Sequence, residues 1–522
     1  MPISSLPEKL PATSPLIIGG GVAGLTTAVH LAERGLKPLL LEADPVWLGG
    51  RLKSGPTVEI EHQGKIWQFP GEHGVHGIWS PYVNLKAILA RHDILPAFVP
   101  AIEEMWIFGR GKGVWKAAMG QPIRYSELPA PFHYLRLFIR PRFLNMLTLR
   151  DMAALFRVFG SLISAMSIDP LAEQKSLNGM SLADFMAGWS PNWQSFFTGL
   201  ARNALAHQPD QVPASGFIAF LRFYTLLRRD AWIFDYLSGS GGASIAEPLS
   251  RVALTLGTKI RPGARVTALN GPNPWQVNYT YSDQQQSLET QHVILAVDAP
   301  AAKKLLGQSP ATVEATRDLW FPEGISTAII RLWFTTKPHP IAESGIFTGD
   351  FIMDNFFWLH RLQKAYEDWG QQTGGSALEM HIYGPEELLA QPNASLLARV
   401  IMDTYRVFPE LRGHLLHSAL LRNEATHTLF SVGEPGRHLG IETPWPNLFA
   451  CGDWVYHPAP ALYLERAAIT GIAAANALLG QLSLAPWPIL PHPEPEWLAG
   501  KIEIGATWLR RKLTRRKTSN DR

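Results

Sequence analysis

Cysteine is the scarcest residue in this chain, since Cys451 is the only one among 522 residues. A single thiol excludes an intramolecular disulfide and any metal site built from several cysteines, so a reducing cytoplasmic compartment is expected. Long apolar runs are also missing: nowhere do about 18 consecutive apolar residues occur, so no helix is expected to span a membrane. Residues 1–15 lack a basic segment followed by an apolar one, and no secretory signal is expected.

Charge is scarce as well. Charged residues make up 17% of the chain and the net charge is only +3, so the overall balance gives no indication of a nucleic-acid partner. Apolar residues make up 46%, which is typical of a globular protein with a large core. A chain of 522 residues is long enough to bury such a core and to hold two domains.

What the sequence does contain is a complete βαβ unit near its start. The apolar run Leu16–Ile18 predicts a strand and leads into the glycine-rich residues 19–24. Apolar residues at spacings of three and four then predict a helix as far as Ala32, and residues 39–41 predict a second strand that Glu42 closes. A glycine-rich turn alone fits many α/β proteins, but this order of elements is typical of a dinucleotide-binding unit.

Each glycine has a distinct role in such a unit. Gly19 permits the tight turn, Gly21 lets the backbone approach a pyrophosphate, and Gly24 lets the helix pack close to the strand. The helix begins around Val22 and Ala23, where free N–H groups and the positive end of the helix dipole favour phosphate. The unit therefore predicts a nucleotide cofactor bound through its diphosphate.

An acidic residue and a second glycine pair complete the pattern. Glu42 stands where a carboxylate accepts hydrogen bonds from an adenosine ribose. Ala43 follows, and residues 49–52 suit a second pass of the chain over a diphosphate. This arrangement resembles the E-A-x-x-x-x-G-G-R element of the flavin-dependent amine oxidase and carotenoid desaturase superfamily, here one residue longer. The resemblance implies that FAD is bound by Glu42, Ala43, Gly49, Gly50, Arg51 and Leu52, as well as by Gly19, Gly21, Val22, Ala23 and Gly24.

A second segment that resembles the superfamily lies near the C-terminus. A predicted strand at residues 447–453 ends in Gly-Asp, and residues 461–471 enter a helix rich in small side chains. In the superfamily the aspartate lies by the diphosphate and ribityl, and the helix N-terminus points at the pyrimidine end of the flavin, where its dipole stabilises negative charge. The resemblance implies further FAD contacts from Gly452, Asp453, Ala461 and Leu462, and from the backbone of Val266 to the adenine.

The same resemblance implies an α/β fold with a Rossmann-like FAD-binding domain and an inserted α+β substrate domain. The FAD-binding domain is expected to be assembled from three separated segments. The predicted segments are residues 12–81, 237–307 and 445–484 for FAD, residues 82–236 (helical) and 308–444 (sheet and helices) for the substrate domain, and residues 485–522 for a proline-rich linker and a basic tail.

Within the superfamily, residues 452–471 and the stretch GVHGIWSPYVNL at residues 74–85 look like the carotenoid desaturases, especially the carotenoid β-ring desaturase/methyltransferases that make aromatic end groups. This implies an FAD-dependent oxidoreductase that dehydrogenates a long apolar isoprenoid such as a carotenoid, with hydride transfer to flavin N5 and with quinone or oxygen as the electron acceptor. Two alternatives stay open. One is a flavin amine oxidase or protoporphyrinogen-type oxidase, since Trp454 and Tyr456 could imitate an amine cage, and the other is a non-catalytic flavin- or lipid-binding protein.

His73 and His76 are the candidate acid/base groups. They lie in a glycine-rich run, residues 70–79, and the corresponding superfamily segment passes near the flavin ring. Glu465, in the C-terminal helical segment, is a third candidate. A histidine metal site is one competing interpretation, but no other ligand pattern accompanies it and no metal is expected. The other is that loop histidines make only local hydrogen bonds.

Positive charge is concentrated at the C-terminus. Residues 501–522 carry eight basic and two acidic side chains, a net of +6, so the other 500 residues stand near −3. Apolar side chains such as Trp508 and Leu509 lie among them, as in an interfacial helix, and each basic residue near an anionic leaflet contributes about 1 kcal/mol. We therefore predict a cytoplasmic protein peripheral to the membrane, with the acid-free residues 129–147 as a second contact. A disordered solubilising tail is the alternative, and nucleic acid is not expected because no binding module is present.

Overall fold

The computed structural model describes residues 8–173, 177–339, 342–434 and 436–520, and for residue 178 and residues 514–520 it describes the backbone alone. Strands are concentrated in three stretches of the chain, which together build two large sheets and three small ones. The strands are β1 (Leu16–Ile18), β2 (Leu39–Leu41), β3 (Thr57–His62), β4 (Lys65–Pro70), β5 (Gly77–Trp79), β6 (Phe98–Pro100), β7 (Glu104–Arg110), β8 (Gly113–Ala118), β9 (Phe234–Leu237), β10 (Lys259–Arg261), β11 (Arg265–Asn270), β12 (Trp275–Tyr281), β13 (Gln284–Thr290), β14 (Val293–Leu295), β15 (Gly324–Phe334), β16 (Ser344–Gly349), β17 (Asn355–Trp358), β18 (Ser376–Ile382), β19 (Leu415–Thr428) and β20 (Leu448–Ala450).

Helices cover the sheets and dominate the stretch between β8 and β9. A 3₁₀ helix at Phe132–Ile139 and π turns at Arg222–Leu226 and Gly242–Ala246 supplement them. The α-helices are α1 (Val22–Ala32), α2 (Val83–Arg91), α3 (Gly120–Arg124), α4 (Pro141–Leu144), α5 (Leu149–Met166), α6 (Pro170–Glu173), α7 (Leu182–Phe185), α8 (Pro191–Leu205), α9 (Ala214–Leu221), α10 (Glu247–Thr255), α11 (Ala299–Gln308), α12 (Val313–Thr316), α13 (Lys364–Thr373), α14 (Glu386–Leu389), α15 (Asn393–Val407), α16 (Tyr463–Gln481) and α17 (Trp497–Asn520).

Five strands form a parallel sheet in the order β10–β2–β1–β14–β20. Every residue of β1, β2, β14 and β20 is buried, because α1 and α16 cover one face while α11 and the small β11–β12–β13 sheet cover the other. Burial on both faces explains why these strands are continuous apolar runs rather than alternating ones. The sheet takes its strands from separate stretches of the chain, and the predicted α/β, Rossmann-like fold is confirmed.

A second, seven-stranded sheet has the order β19–β15–β18–β17–β16–β7–β8. Its neighbours are antiparallel except β16 and β7, which run parallel. Side chains of α15 pack on one face of this sheet, and those of α13 and the β3–β4 hairpin pack on the other. The sequence predicts strands at residues 325–334 and 377–383, where β15 and β18 lie. It does not predict β19, the long strand that forms the edge of this sheet.

The helical stretch packs directly against the parallel-sheet domain. One apolar cluster joins Leu85 of α2, Phe196 of α8 and Phe217 of α9 to Ile469 of α16. These side chains are all at least nine-tenths buried. The helices therefore form one continuous core with the layer that covers the parallel sheet.

The start of α17 is docked onto the folded body. Ala499 is fully buried, and the Glu503 carboxylate lies 2.6 Å from the Arg222 guanidinium. Farther along, Arg510 pairs with Glu173 at 2.8 Å. Residues 497–510, which belong to the predicted proline-rich linker and basic tail of residues 485–522, are thus held in place by packing and ion pairs.

The remaining basic charge of the predicted tail is only partly described. Arg511 and Lys512 are exposed on α17. The side chains of Arg515, Arg516 and Lys517, and all of Arg522, lie outside the described residues. Within the part of the chain that the structure describes, no helix is both long and apolar enough to cross a bilayer.

Candidate active site

The glycine-rich turn leaves open space at the N-terminus of α1. A Cβ added at Gly21 would meet no atom within 4 Å, whereas one added at Gly24 would lie 2.0 Å from the Gly19 carbonyl oxygen. Gly19 itself has a φ of +107°. Val22 and Ala23 form the first turn of α1, whose N–H groups have no partner within the helix. Gly19 and Gly24 therefore close the turn, while Gly21 leaves room for a ligand beside these N–H groups.

The Glu42 carboxylate lies over the same turn. Its Oε2 accepts a hydrogen bond from the Gly20 N–H at 2.7 Å, and its Oε1 accepts one from the N–H two residues farther on, also at 2.7 Å. The next residue, Ala43, is half-buried. The Glu42 carbonyl oxygen accepts from the Ala264 N–H at 2.8 Å, and Val266 follows at a bulge in β11. The residues expected to contact the ribose and the adenine, Glu42 and Val266, thus lie on adjacent segments of the protein.

Arg51 and Asp453 form an ion pair, with Arg51 Nη2 at 2.5 Å from Asp453 Oδ2. Residues 49–50 have φ values of +107° and +59°, and this turn pairs Gly49 with Gly21 of the first glycine turn. Leu52, which follows Arg51, is buried. The ion pair brings the N-terminal and C-terminal halves of the expected cofactor site into contact.

The C-terminal half is built at the end of β20. Gly452 has a φ of +144°, and its N–H donates to Thr470 Oγ1 at 3.0 Å. Ala461 and Leu462 are fully buried immediately before α16. The first turn of α16 therefore follows directly on the residues expected to meet the flavin, and its dipole favours negative charge there.

Arg466 holds the loop between β20 and α16. Its buried guanidinium donates to the carbonyl oxygens of Val455, His457, Ala459 and Ala461 at 3.0–3.3 Å. Burial lowers the pKa of Arg466 to about 10, so the side chain stays charged at neutral pH. The path of this loop depends on one buried cation, which the sequence did not single out.

Three histidines gather near Arg51. Burial is the main reason that their pKa values fall, to about 3 for His427, to about 4 for His76 and well below the usual range for His73. Each has a buried ring nitrogen without a hydrogen-bond partner in the described structure, namely Nε2 of His73, Nδ1 of His76 and Nε2 of His427. Among the described residues, no three His, Cys, Asp or Glu side chains are grouped as a metal ion would require. These neutral imidazoles instead suit a ligand with its own donors and acceptors.

Taken together, these residues fit FAD. Glu42 suits the ribose, and Gly21 with Arg51 suits the diphosphate, because the turn is open and the guanidinium is charged. The unpaired ring nitrogens of His73 and His427 suit the polar edge of an isoalloxazine. Bound FAD supplies a two-electron acceptor for a hydride.

A buried ion network lies behind the histidines. Glu379 Oε2 is 2.6 Å from Arg331 Nε, while Oε1 is 2.7 Å from His381 Nε2 and accepts from the Val75 N–H at 2.8 Å. Burial alone would raise the pKa of Glu379, but Arg331 and His381 outweigh it and lower this pKa to about 2. Glu72 differs, because burial raises its pKa to about 7. The network therefore keeps one carboxylate ionised next to an imidazole.

A cavity that we call the polar chamber opens beside this network. It encloses about 730 Å³ of space, part of which is open to solvent. Aromatic rings form one part of its wall, including Trp79, Trp232 and Phe234. Its polar lining consists of Glu104, Asn203, Tyr236, Ser344, Asn355, His381 and Tyr383.

A second cavity, which we call the apolar cavity, adjoins the polar chamber. It encloses about 870 Å³, and every residue that lines it is apolar or aromatic. Much of its wall comes from α5 and α8, for example Leu162 and Phe196. Met119, Leu200 and Trp232 line both cavities, so the two spaces share a wall.

Glu465 has a structural role and does not lie among His73, His76 and His427. It is fully buried on α16. Its Oε1 accepts from Asn84 N and Nδ2 at 2.8 and 2.9 Å, and its Oε2 accepts from the Leu85 N–H at 3.0 Å. His492 Nε2 lies 3.5 Å away on the other side. The carboxylate thus satisfies the free N–H groups at the start of α2, and this geometry does not support its prediction as an acid/base group.

Several residues of the site are not among those that the sequence predicts. Glu379, His381 and Tyr383 belong to a stretch predicted only as a strand, and the sequence gives no prediction for His427. A signal was present for the first three, because polar residues at every second position of an apolar strand must share one face. No comparable pattern marks His427, which joins His73 and His76 only through the fold.

Comparison with known proteins places this site in context. The family described as flavin containing amine oxidoreductase matches residues 22–479. A carotenoid phi-ring synthase from Chlorobaculum tepidum is 23% identical over 93% of this chain and 92% of the relative. A 15-cis-phytoene desaturase from Narcissus pseudonarcissus is 22% identical over 92% of this chain and 81% of the relative.

Among solved structures, cyclohexylamine oxidase from Brevibacterium oxydans superposes with a TM-score of 0.60. The match covers 91% of this chain and 100% of that protein at 14% sequence identity. At this identity the likeness concerns the fold alone.

Proposed function

The chain belongs to the flavin containing amine oxidoreductase family and is an FAD-dependent oxidoreductase, and we propose that it dehydrogenates a carotenoid. The observation that carries this proposal is the apolar cavity, whose lining is entirely apolar or aromatic. A long isoprenoid offers few polar handles, so such a wall is the recognition surface that its chemistry requires. Relatives named as a carotenoid phi-ring synthase and a phytoene desaturase support the same substrate class.

The two cavities have different roles: one holds the hydrocarbon chain of the substrate, and the other holds the end of the substrate that reacts. The apolar cavity accepts the hydrocarbon, and the shared wall at Met119, Leu200 and Trp232 leads to the polar chamber. His381 of the ion network lines the chamber, and the loop that carries His73 and His76 borders it through Val75 and Gly77. Catalysis then rests on positioning the reacting carbons and excluding water, with His73 and His76 as neutral acid/base candidates.

The resemblance to β-ring desaturase/methyltransferases narrows the proposal to a cyclic end group that becomes aromatic. The polar chamber supports this choice, because aromatic rings such as Trp79 and Phe234 can stack on a flat product ring. An amine or porphyrinogen is the second candidate, favoured by the polar lining of the same chamber. Quinone or oxygen is the proposed final electron acceptor.

The test is anaerobic mixing of the FAD-loaded protein with carotenoids in lipid vesicles. We expect the flavin absorbance to bleach and a more unsaturated product to form, while amines leave the flavin oxidised. Leu162→Asn, in the apolar cavity, is expected to slow bleaching, and Leu254→Asn, at an exposed position of α10, serves as the control. Bleaching by amines and not by any carotenoid would refute the proposal and favour the second candidate.

We further propose that the protein is cytoplasmic and attaches to the membrane surface. Helices α5 and α17 pack side by side and expose large apolar side chains. Phe156 is 88% exposed and Trp508 is 61% exposed, and Arg511 and Lys512 lie nearby on α17. Leu155 and Phe159 of the same helix line the apolar cavity, so a single helix carries both the exposed apolar surface and part of the cavity wall. This arrangement suits uptake of a substrate dissolved in lipid.

Flotation with anionic vesicles tests the attachment. The wild-type protein is expected to float at low salt and less at high salt, because charge contributes to binding. Phe156→Glu combined with Trp508→Glu should abolish flotation. Met402→Glu, at an equally exposed apolar position on α15, should float like the wild type. If the double variant floats as well as the wild type, these helices are not the contact.

A further inference from the structure

A continuous hydrogen-bonded chain runs through Glu379 and His381 of β18 and Tyr383, the first residue after the strand. His381 Nε2 lies 2.7 Å from Glu379 Oε1, and His381 Nδ1 lies 2.7 Å from the Tyr383 hydroxyl. The side chains share one face because residues two apart in a strand point the same way. Glu379 is fully buried, His381 is 4% exposed, and Tyr383 is half-buried at the polar chamber.

The hydrogen-bond partners of Glu379, His381 and Tyr383 determine which atom carries each proton. The Glu379 carboxylate is ionised and only accepts, so the His381 Nε2 carries the hydrogen that bonds to it. His381 Nδ1 is then an acceptor and receives the hydroxyl hydrogen of Tyr383. Asn355 Nδ2 lies 3.2 Å from the same hydroxyl oxygen and donates to it. The tyrosine oxygen has a second lone pair that neither of these bonds uses, and Tyr383 lines the chamber.

The imidazole is held rigidly in this orientation. Glu379 is itself anchored by Arg331 and by the Val75 N–H. A Cβ added at Gly74 would lie 3.0 Å from His381 Cε1, so the glycine backbone lies directly on the ring. The loop that carries His73 and His76 therefore packs on the relay itself.

Other charged and titratable groups surround the relay. Asp354 faces it from the chain before β17, where its carboxylate accepts from the Tyr383 N–H at 2.7 Å and pairs with Arg202. Arg331 faces it from β15. The remaining groups are Glu72, His73 and His76 on the loop after β4, and His427 at the end of β19.

We propose that Tyr383 is the group that takes the proton in the dehydrogenation, with His381 and Glu379 as its positioning residues. The inference rests on the proposed function. One substrate C–H bond breaks and its proton passes to the Tyr383 oxygen, while the hydroxyl proton of Tyr383 moves to His381 Nδ1. The resulting imidazolium lies beside the Glu379 carboxylate, as in a Ser-His-Asp triad. The second hydrogen leaves as a hydride with its electron pair, for which the flavin is the oxidant, and a C=C bond forms.

This assignment places the proton acceptor directly after the end of β18 rather than on the glycine-rich loop. His73 and His76 then lie on the cofactor side of the chamber, where their unpaired nitrogens can bond the flavin. Tyr383 is neutral before and after the proton transfer, so no tyrosinate is needed. After the proton transfer the positive charge is on His381, next to the Glu379 carboxylate, which is already ionised before the reaction.

Tyr383→Phe tests the proposal most directly. In a single turnover of carotenoid with FAD-loaded protein, we expect product formation to slow by about 10²- to 10⁴-fold, the usual contribution of a general base. Substrate binding and the flavin spectrum should not change. Tyr279→Phe is the matched control, because Tyr279 is a buried tyrosine of the small β11–β12–β13 sheet whose hydroxyl donates to Gln286 at 2.8 Å. Product formation by Tyr383→Phe within about twofold of the control overturns the proposal.

His381→Ala with added imidazole provides an independent test. The variant is expected to be slow, and imidazole should restore product formation. A merely structural histidine would not produce that recovery. Failure of imidazole to restore any rate in a variant that retains FAD counts against the relay.

A measurement without substrate separates this inference from the proposed function. In protein labelled with ¹⁵N-histidine, the His381 signals are identified by their loss in His381→Gln. In Tyr383→Phe, the ¹⁵N chemical shift of His381 Nδ1 should move toward that of an imidazole nitrogen that accepts no hydrogen bond. In Tyr279→Phe, this chemical shift should not change. An unchanged Nδ1 signal shows that the relay is wrong, whereas a wild-type protein inactive on every carotenoid shows that the proposed function is wrong.

Discussion

Arg51 and Asp453 stand 402 positions apart in the chain and meet with 2.5 Å between Nη2 and Oδ2. The arginine follows the glycine pair after β2, and the aspartate follows β20. The two strands lie in the same parallel sheet, and parallel strands bring residues after their carboxyl ends to one edge. A single ion pair thus joins the two parts of the FAD site.

Asp453→Asn is expected to weaken FAD binding while the fold is retained. Loss of a charged hydrogen bond costs about 1.5–3 kcal/mol, which is on the order of a 10- to 100-fold rise in Kd. Titration of the apoprotein with FAD, followed by flavin fluorescence, measures this. Arg317→Ala removes an exposed ion pair with Glu314 and is the control. Equal Kd values for Asp453→Asn and the control would contradict the expected role of the ion pair.

Gly21→Ala is expected to impair FAD binding, whereas Gly24→Ala is expected to impair the stability of the fold. At Gly21 the added methyl enters open space, so the apoprotein should melt normally but bind FAD poorly. At Gly24 the methyl would lie 2.0 Å from the Gly19 carbonyl oxygen, so the fold itself should lose stability, by about 1–3 kcal/mol. Thermal melting and FAD titration of both variants separate the two effects. Normal FAD affinity in Gly21→Ala would show that the diphosphate does not occupy that space.

Glu379 is expected to make the protein sensitive to acid. Its folded pKa of about 2 lies below the ordinary glutamate pKa of 4.5, so between these values the unfolded state binds more protons than the folded state. Stability from this group is therefore present above pH 4.5 and is lost as the pH falls toward 2, at about 1.4 kcal/mol per pH unit.

Chemical denaturation from pH 7 to pH 2 measures that loss. Glu379→Gln should be less stable than the wild type at pH 7, because Arg331 loses its buried partner, and the difference should shrink below pH 4.5. Glu61→Gln, on the exposed side of β3, should track the wild type. A difference between Glu379→Gln and the wild type that stays constant across this range would show that the carboxylate is not ionised as described.

Glu465→Ala is expected to act through stability. Removing the carboxylate leaves the N–H groups of Asn84 and Leu85 unsatisfied at the start of α2, at a cost of about 1–3 kcal/mol. The free energy of unfolding should fall, while the pH dependence of product formation should keep its shape. Glu465→Gln retains one acceptor oxygen and should lose less stability. A pH profile that changes in both variants would restore Glu465 as an acid/base candidate.

The sequence by itself determined the local parts of this protein. The βαβ unit, the second glycine pair and the Gly-Asp segment before α16 could be read from spacing, because turns, helix starts and buried strands depend on residues close together in the chain. That was enough for the α/β fold, the FAD cofactor and the family. The segment boundaries and the individual FAD contacts stay predictions.

Only the tertiary structure decided which distant side chains meet. Strand pairing places His427 of β19 near His73 and His76, and helix packing turns Glu465 toward the start of α2 rather than toward the chamber. The residues of the relay alternate along β18 and the residue after it, but their meaning depends on Arg331 of the neighbouring strand β15 and on the chamber that His381 and Tyr383 line. Such contacts are set by sheet register and by long-range packing, which no short stretch of sequence encodes.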